Sequence, residues 1–275
     1  MRSPLLFALA AGLVAVARAE EWRFAPLPLE KPETVVATWR PMLDYLADKL
    51  GVSIRIEYSD SYAEIIDKFA AGRLELTHLG PLPYVELKAR VPAAEPLVHF
   101  KERDGADFYT CALIASADAH LTPARLVGRK VALTQPLSTC GYIATDGILR
   151  GAGSSLEKNR YRYLDKHDTA ALAVARGEFD AAGVKTSIAK KYAHLGLVIL
   201  AESRPFPGFA LIAHGERIDP ARRERLKKLL VEADASLRER WGDAIRYGAV
   251  PARDGDYAAV RAYLPARPIP RQGNF

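Results

Sequence analysis

Residues 39–58, WRPMLDYLADKLGVSIRIEY, contain the change of period that decides the fold class. Met42, Leu43, Tyr45, Leu46 and Leu50 recur at spacings of three and four, which puts them on one helix face, and Gly51 is a natural C-terminal stop. Val52, Ile54, Ile56 and Tyr58 then alternate with polar residues, the period of a half-buried strand. Upstream, Trp22-Arg23-Phe24-Ala25 is short enough for a first strand, and Pro26, Pro28 and Pro32 predict an irregular loop before the helix. The order is β-α-β.

The unit recurs along the chain. Tyr62 to Ala71 is predicted helical with Ile65, Ile66 and Phe69 inward, Leu74 to Leu79 is a short strand broken by Gly80-Pro81, and Leu82 to Arg90 restarts as a helix. Phe108 to Ser116 reads as one long apolar strand. A second series follows: a strand at Val131 to Thr134, a helix from Gly141 to Gly151, a strand at Tyr161 to Leu164, and an alanine-rich helix from Asp168 to Gly177. Further strands are expected at Asp180 to Val184, Leu197 to Leu200 and Phe209 to Ala213. Charged helical spacing runs from Pro220 to Tyr247, ahead of a Pro-rich tail. Strands alternating with helices predict an α/β fold with mainly parallel sheets covered on both faces. No internal repeat is present. The polar, Gly/Pro-bearing segments Lys101–Asp107 and Arg204–Gly208 are the best boundaries, so lobe 1 is expected to comprise 20–107 and 208–275, and lobe 2, 108–207, to be inserted into it.

Residues 1–19 carry a targeting pattern. Arg2 gives the positive start, Leu5 to Val16 form the apolar stretch, and Ala17-Arg18-Ala19 offers a small-x-small cleavage site before Glu20. The stretch is too short to span a bilayer as a helix. A signal peptide cleaved after Ala19 places the mature chain in the periplasm. Removing it takes away Arg2 and Arg18 and no acid, so the formal charge falls from +6 to +4. The remaining charges are scattered and form no basic, aromatic-interleaved run, so nucleic acid is not the expected partner. No Cys or His spacing suggests a zinc site, and no motif calls for a cofactor. Two readings of Cys111 and Cys140 stay open: a disulfide, which an oxidising compartment permits, and the slightly preferred one of buried small apolar residues.

Three segments could carry binding chemistry. Ser138-Thr139-Cys140-Gly141-Tyr142 sits where a strand gives way to a helix, and hydroxyls beside the unpaired amides of a helix start can complete an anion site, although Ser and Thr there are also ordinary caps. Lys166-His167-Asp168-Thr169 opens another helix, with a histidine able to donate or simply to cap. His78-Leu79-Gly80-Pro81-Leu82 is a sharp break expected to expose amides at a third helix start. Tyr62, after Ser59-Asp60-Ser61, adds a phenol.

With these segments in this order, the chain resembles the phosphonate-, phosphite- and phosphate-binding proteins of ATP-driven importers, within the type II periplasmic binding-protein group. The likeness rests on Trp39-Arg40-Pro41 with Leu50-Gly51-Val52, on Tyr62-Ala63-Glu64-Ile65-Ile66 and Gly80-Pro81-Leu82, and on the Ser138 and His167 segments, the latter running through Val174 to Gly177 and Asp180. It implies a two-lobed fold with the ligand cleft between the lobes, a monomer that captures a small oxyanion and docks on a membrane permease, and no enzymatic activity. Carried over by position, it implies binding roles for Ser138, Thr139, Cys140, His167 and Tyr62. Cys140 stands where a third hydroxyl is usual and would be a weak donor. Leu79 stands where aminoalkylphosphonate binders place a tyrosine. Ser187 and Phe209 stand where those binders hold carboxylates, so a buried ammonium would be unpaired, which is costly. A ligand without an amine is expected, bound by a set drawn from Tyr62, His78, Leu79, Gly80, Ser138, Thr139, Cys140, Gly141, His167 and Phe209. The rival readings are an enzyme with Cys140 as nucleophile beside His167, a sensing module that signals to a receptor or kinase, and a binder of another small anion such as a sulfonate.

Overall fold

The computed structural model describes residues 20–28, 32–265 and 267–275. The predicted signal peptide, residues 1–19, lies outside them. The chain opens with β1 (Glu21–Ala25), α1 (Pro32–Leu50), β2 (Ser53–Ile56), α2 (Tyr62–Ala70), β3 (Leu76–Leu79), α3 (Pro81–Arg90) and β4 (Ala94–Phe100). It then crosses through β5 (Phe108–Tyr109) into β6 (Cys111–Ser116), β7 (Lys130–Leu133), α4 (Tyr142–Gly151), β8 (Arg160–Tyr163), α5 (His167–Ala175), β9 (Ala181–Lys185), α6 (Thr186–Lys191) and β10 (Leu197–Glu202). It returns through β11 (Phe206–Pro207) to β12 (Ala210–His214), α7 (Pro220–Val231), α8 (Ala235–Arg238), β13 (Ala249–Pro251) and α9 (Ala258–Tyr263).

The strands build two sheets, in the orders β13-β4-β12-β3-β1-β2 and β10-β6-β9-β7-β8, and the two crossings pair with each other as the antiparallel ribbon β5-β11. The α/β class holds, but the sheets are mixed where mainly parallel ones were expected. In the first, β1 pairs in parallel with β2 and β3, while β12 runs antiparallel to both β3 and β4. In the second, β7 is parallel to β8 and β9, while β6 runs antiparallel to β9 and β10. The cause lies in the crossings. Each delivers its strand, β6 or β12, into the interior of a sheet from the side opposite to the βα units, so that strand must run against its neighbours.

Other departures have local causes. Pro32 opens α1 instead of belonging to a loop, as suits a residue with fixed φ and no amide to satisfy, and the helix continues through Pro41. Phe108 to Ser116 is two strands, parted at Thr110. The spacing from Pro220 to Tyr247 covers two helices, α7 and α8. β4, α6, β11, β13 and α9 were not predicted. β4 and β13 contain prolines at 96 and 251, which weaken a strand pattern, and α6 spans only 6 residues.

Val35, Trp39, Met42, Leu43 and Leu46 of α1 pack with Trp22 and Phe24 of β1 on one face of the first sheet. The other face belongs to a core that runs on into the second sheet, joining Tyr62, Ile65 and Phe69 to Leu133, Leu137 and Tyr142. The alanine-rich α5 covers the far face of the second sheet with Ala170, Ala171, Ala173 and Val174. The C-terminal tail also reaches that sheet: Asn274 Oδ1 accepts from the Tyr161 amide at 2.6 Å, and Tyr163 Oη donates to the Pro270 carbonyl at 2.8 Å.

Cys111 and Cys140 form a disulfide, with Cα atoms 5.1 Å apart. The less favoured of the two sequence readings is therefore correct. The bond ties the first residue of β6 to the loop before α4. It closes a segment of 29 residues, for which the chain-entropy model gives a contribution of about 3–4 kcal/mol. Replacing both cysteines by alanine is expected to lower the midpoint of thermal unfolding by roughly 10 °C, measured by calorimetry against the unreduced parent.

Candidate functional site

The loop between β7 and α4 is held by its own amides. Ser138 N–H donates to the Gln135 carbonyl at 2.9 Å, Gly141 N–H to the Ser138 carbonyl at 3.0 Å, and Ala144 N–H to the Thr139 carbonyl at 3.1 Å. The amides of Thr139 and Cys140 take no part in these turns. A Cβ on Gly141 would lie 2.8 Å from the Gln135 carbonyl oxygen and 2.9 Å from Thr134 Oγ1, so only glycine fits there. Gly141 thus supports the loop from behind and, contrary to expectation, does not face the site.

Ser138, Thr139 and Cys140 line a small cavity between the sheets, of about 10 Å³. Tyr62, Gly80, His167 and Phe209 line it too, so seven residues of the predicted set meet there. Pro83, Tyr109 and Lys185 complete the wall and were not foreseen. Tyr109 was hidden inside what read as one apolar strand. Lys185 ends β9 and leads into the unpredicted α6, so its place at the C-terminal end of a strand carried no motif.

His167 opens α5, and its Nδ1 accepts a hydrogen bond from the Lys185 backbone amide at 3.0 Å. An accepting Nδ1 leaves the ring hydrogen on Nε2, so the neutral ring is a donor there. Burial, helped by the Lys185 charge, pushes this histidine down to about 4. It is neutral at pH 7. The Tyr62 and Tyr109 phenols are held well above their ordinary value by burial, and Tyr109 sits against the Thr139 hydroxyl. Both remain donors.

The α3 start differs from expectation. Pro81 and Pro83 have no N–H, Leu82 N–H donates across the cleft to Thr139 Oγ1 at 3.0 Å, and Tyr84 N–H donates to the Gly80 carbonyl at 3.1 Å. The amides predicted to be exposed there are missing or already used. Gly80 contributes closeness: a Cβ would meet Phe209 Cε1 at 3.1 Å. A second link across the cleft runs from the Tyr62 amide to Gln135 Oε1 at 3.1 Å.

His78 and Leu79 do not reach the small cavity. Successive residues of β3 point to opposite faces. Leu79 is fully buried in the shared core, and His78 lies between Trp39 and Phe209, at ring-centre distances of 4.6 and 5.4 Å. The Cys140 sulfur, expected as a weak donor or as a nucleophile, is neither, because a disulfide sulfur has no S–H and forms no thiolate.

Among the described residues that line the cavity, Lys185 is the one cation. Lys185 Nζ pairs with Glu102 Oε1 at 2.7 Å and stands 5.0 Å from the Tyr109 ring centre and 5.3 Å from that of Phe209. A ring of neutral O–H and N–H donors beside one ammonium is suited to replacing the water shell of a small anion. Among the described residues no cluster of His, Cys, Asp or Glu could hold a metal, and no helix is long and apolar enough to cross a membrane.

Residues 24–257 match the family described as the periplasmic substrate-binding protein of a phosphonate ABC transporter. The chain is 25% identical over 267 residues to the phosphate-import protein PhnD of Mycolicibacterium smegmatis, an alignment covering 86% of this chain and 83% of that one. Its fold is similar to PhnD1 from Prochlorococcus marinus in complex with methylphosphonate, at a TM-score of 0.77 and 14% identity over 89% of this chain and 97% of that one. It is also similar to a binding component of an ABC phosphonate transporter from Pseudomonas aeruginosa, at a TM-score of 0.75 and 18% identity over 89% and 85% of the two chains. With so much of its length matched, the chain belongs to the periplasmic substrate-binding proteins of phosphonate ABC transporters.

Proposed function

We propose that this protein captures a small tetrahedral oxyanion without an amine, a phosphonate, phosphite or phosphate, between two lobes comprising residues 20–107 with 208–275 and residues 108–207. The observation that carries the proposal is the convergence of neutral donors from both sheets on one small cavity: Ser138, Thr139 and His167 from the second, Tyr62 from the first, and Tyr109 from the crossing ribbon. The ribbon β5-β11 acts as the hinge about which the lobes close. The signal peptide is removed after Ala19, the mature protein works as a monomer in the periplasm, and the closed form hands its ligand to a membrane permease without chemical change.

Each hydrogen bond to a charged oxygen contributes roughly 1.5–3 kcal/mol net. Five such donors, less the cost of closing, reach the ~8 kcal/mol of micromolar binding. Titration calorimetry against methylphosphonate, phosphite, phosphate, 2-aminoethylphosphonate, sulfate and methanesulfonate is expected to show binding to one of the first three and weaker binding to the aminoalkyl ligand. Preference for the sulfonate would reassign the anion, and a silent panel would remove the oxyanion reading. Ser138→Ala and His167→Ala should each weaken the preferred ligand by roughly 10- to 100-fold, the loss of one charge-assisted hydrogen bond.

The pH dependence separates the histidine from the ligand. Folding holds His167 at about 4 and His78 at about 3, against 6.5 for an unperturbed ring. Both are depressed, so the unfolded chain binds more protons between these values and stability falls as pH drops from about 6.5 towards 4. Thermal melts should be level from pH 7 to 8 and decline below 6.5. His167→Gln, which keeps a neutral donor, should reduce that decline.

A further inference from the structure

The C-terminal segment joins the two sheets a third time. At its root, α9 is tied to α3: the Asp254 carboxylate accepts from Tyr84 Oη at 2.8 Å, and the Asp254 carbonyl accepts from Arg261 Nη1 at 2.9 Å. At its end, the chain adds to the outer edge of β8. Asn274 N–H donates to the Tyr161 carbonyl at 3.0 Å and its Nδ2 to the Asn159 carbonyl at 2.9 Å. A Cβ on Gly273 would lie 2.5 Å from the Tyr161 carbonyl oxygen, so the edge is approached as closely as glycine allows. The Phe275 ring centre is 4.7 and 4.5 Å from the guanidinium carbons of Arg160 and Arg162, alternate residues of β8. Between these anchors Pro265 and Pro268, with fixed φ, keep the connection stiff.

Tyr263, the last residue of α9, stands where this connection leaves the first lobe. Its ring centre is 5.3 Å from that of Phe206 in β11, and Phe206 in turn is 6.4 Å from Tyr109, which lines the small cavity. Phe206 therefore intervenes between the cavity wall and Tyr263. The other side of the Tyr263 ring meets α4 of the second lobe. A Cβ on Gly147 would lie 2.5 Å from Tyr263 Cε1 and 2.8 Å from Cδ1, so the ring already fills the space that glycine leaves. The rest of the tail stands off from α4 across a groove of about 790 Å³, which shares no lining residue with the small cavity. Contact with α4 is thus concentrated at one ring.

The ring is placed to act on closure. The three bonds across the cleft are formed in this structure. A rotation about the ribbon that parts them brings together the groups on the ribbon's far side. Tyr263 moves with α3, through α9, and Gly147 moves with the Ser138 loop, which leads into its helix. Opening therefore drives the ring against a helix that has no room for it.

We infer that Tyr263 is a positioning residue that limits opening of the cleft and so raises affinity without touching the ligand. The inference rests on the proposed closure about the ribbon. Small-angle X-ray scattering of the purified protein with and without methylphosphonate, with titration calorimetry against the same ligand, tests it. Tyr263→Ala should have a larger ligand-free radius of gyration than the parent, the parent's radius when saturated, and binding weaker by about fivefold or more, the scale of a modest coupling between distant sites. Tyr263→Phe should match the parent, because the ring makes the contact and the hydroxyl does not. Tyr263→Leu, which keeps apolar bulk at the half-buried position, should fall between them and serves where the alanine variant does not fold. Parental radius and affinity in Tyr263→Ala, or tighter binding, overturns the inference and leaves the oxyanion assignment standing. A parent that binds methylphosphonate with no change in radius overturns the closure and the inference with it. Where methylphosphonate does not bind, the ligand-free radii decide: a variant no larger than the parent overturns the inference, and a larger one upholds it.

Discussion

The bond between Cys111 and Cys140 is the constraint on which the site depends. Cys111 is where the chain enters the second sheet from the crossing ribbon, and Cys140 lies in the loop that carries Ser138 and Thr139 to the cavity. Joining them fixes the loop to an interior strand, beside the ribbon through which the chain crosses between the two sheets. The spacing required at Gly141 has the same effect from the other side, since the Gln135 carbonyl leaves no room for a side chain. A donor loop without such supports would lose part of its hydrogen-bond energy to the cost of being ordered at the moment of binding.

The second requirement is that the donors be neutral and already oriented. His167 meets it through a main-chain contact, because the Lys185 amide occupies Nδ1 and only Nε2 can offer a hydrogen. Thr139 meets it through the other half of the molecule, because its oxygen accepts from the Leu82 amide and its own hydrogen is left to point elsewhere. Among the described residues lining the cavity, charge enters only through Lys185, which is already balanced by Glu102. Such a site selects by the number and direction of hydrogen bonds, and the modest net charge of the chain is consistent with that.

Much of this was legible in the sequence because it depends on local pattern. The helical face from Met42 to Leu50 and the alternation from Val52 to Tyr58 needed nothing beyond their own residues. The Ser138 and His167 segments were visible as hydroxyls and an imidazole where strand gives way to helix. What stayed hidden depends on partners distant in the chain. Lys185 and Tyr109 have no motif and become site residues only because the crossing ribbon and β9 bring them beside Phe209. His78 looked like part of the oxyanion set, but the alternation within β3 turns it to the opposite face from Leu79. The α3 start has the outline of an anion site, but Pro81 and Pro83 have no amides and that of Leu82 is spent on Thr139.

The same features bear on how closure and recognition are linked. Leu82 to Thr139, Tyr62 to Gln135 and Glu102 to Lys185 all join one half of the molecule to the other, and each uses a residue at or next to the cavity. None of the three can form when the halves are apart. In the proposed opening, Thr139 would lose the contact that orients its hydroxyl, and Lys185 would lose the acid that balances it. In that proposal closure would assemble the donor set as well as bury it, and affinity should depend on the complementarity of the closed cavity more than on any single contact.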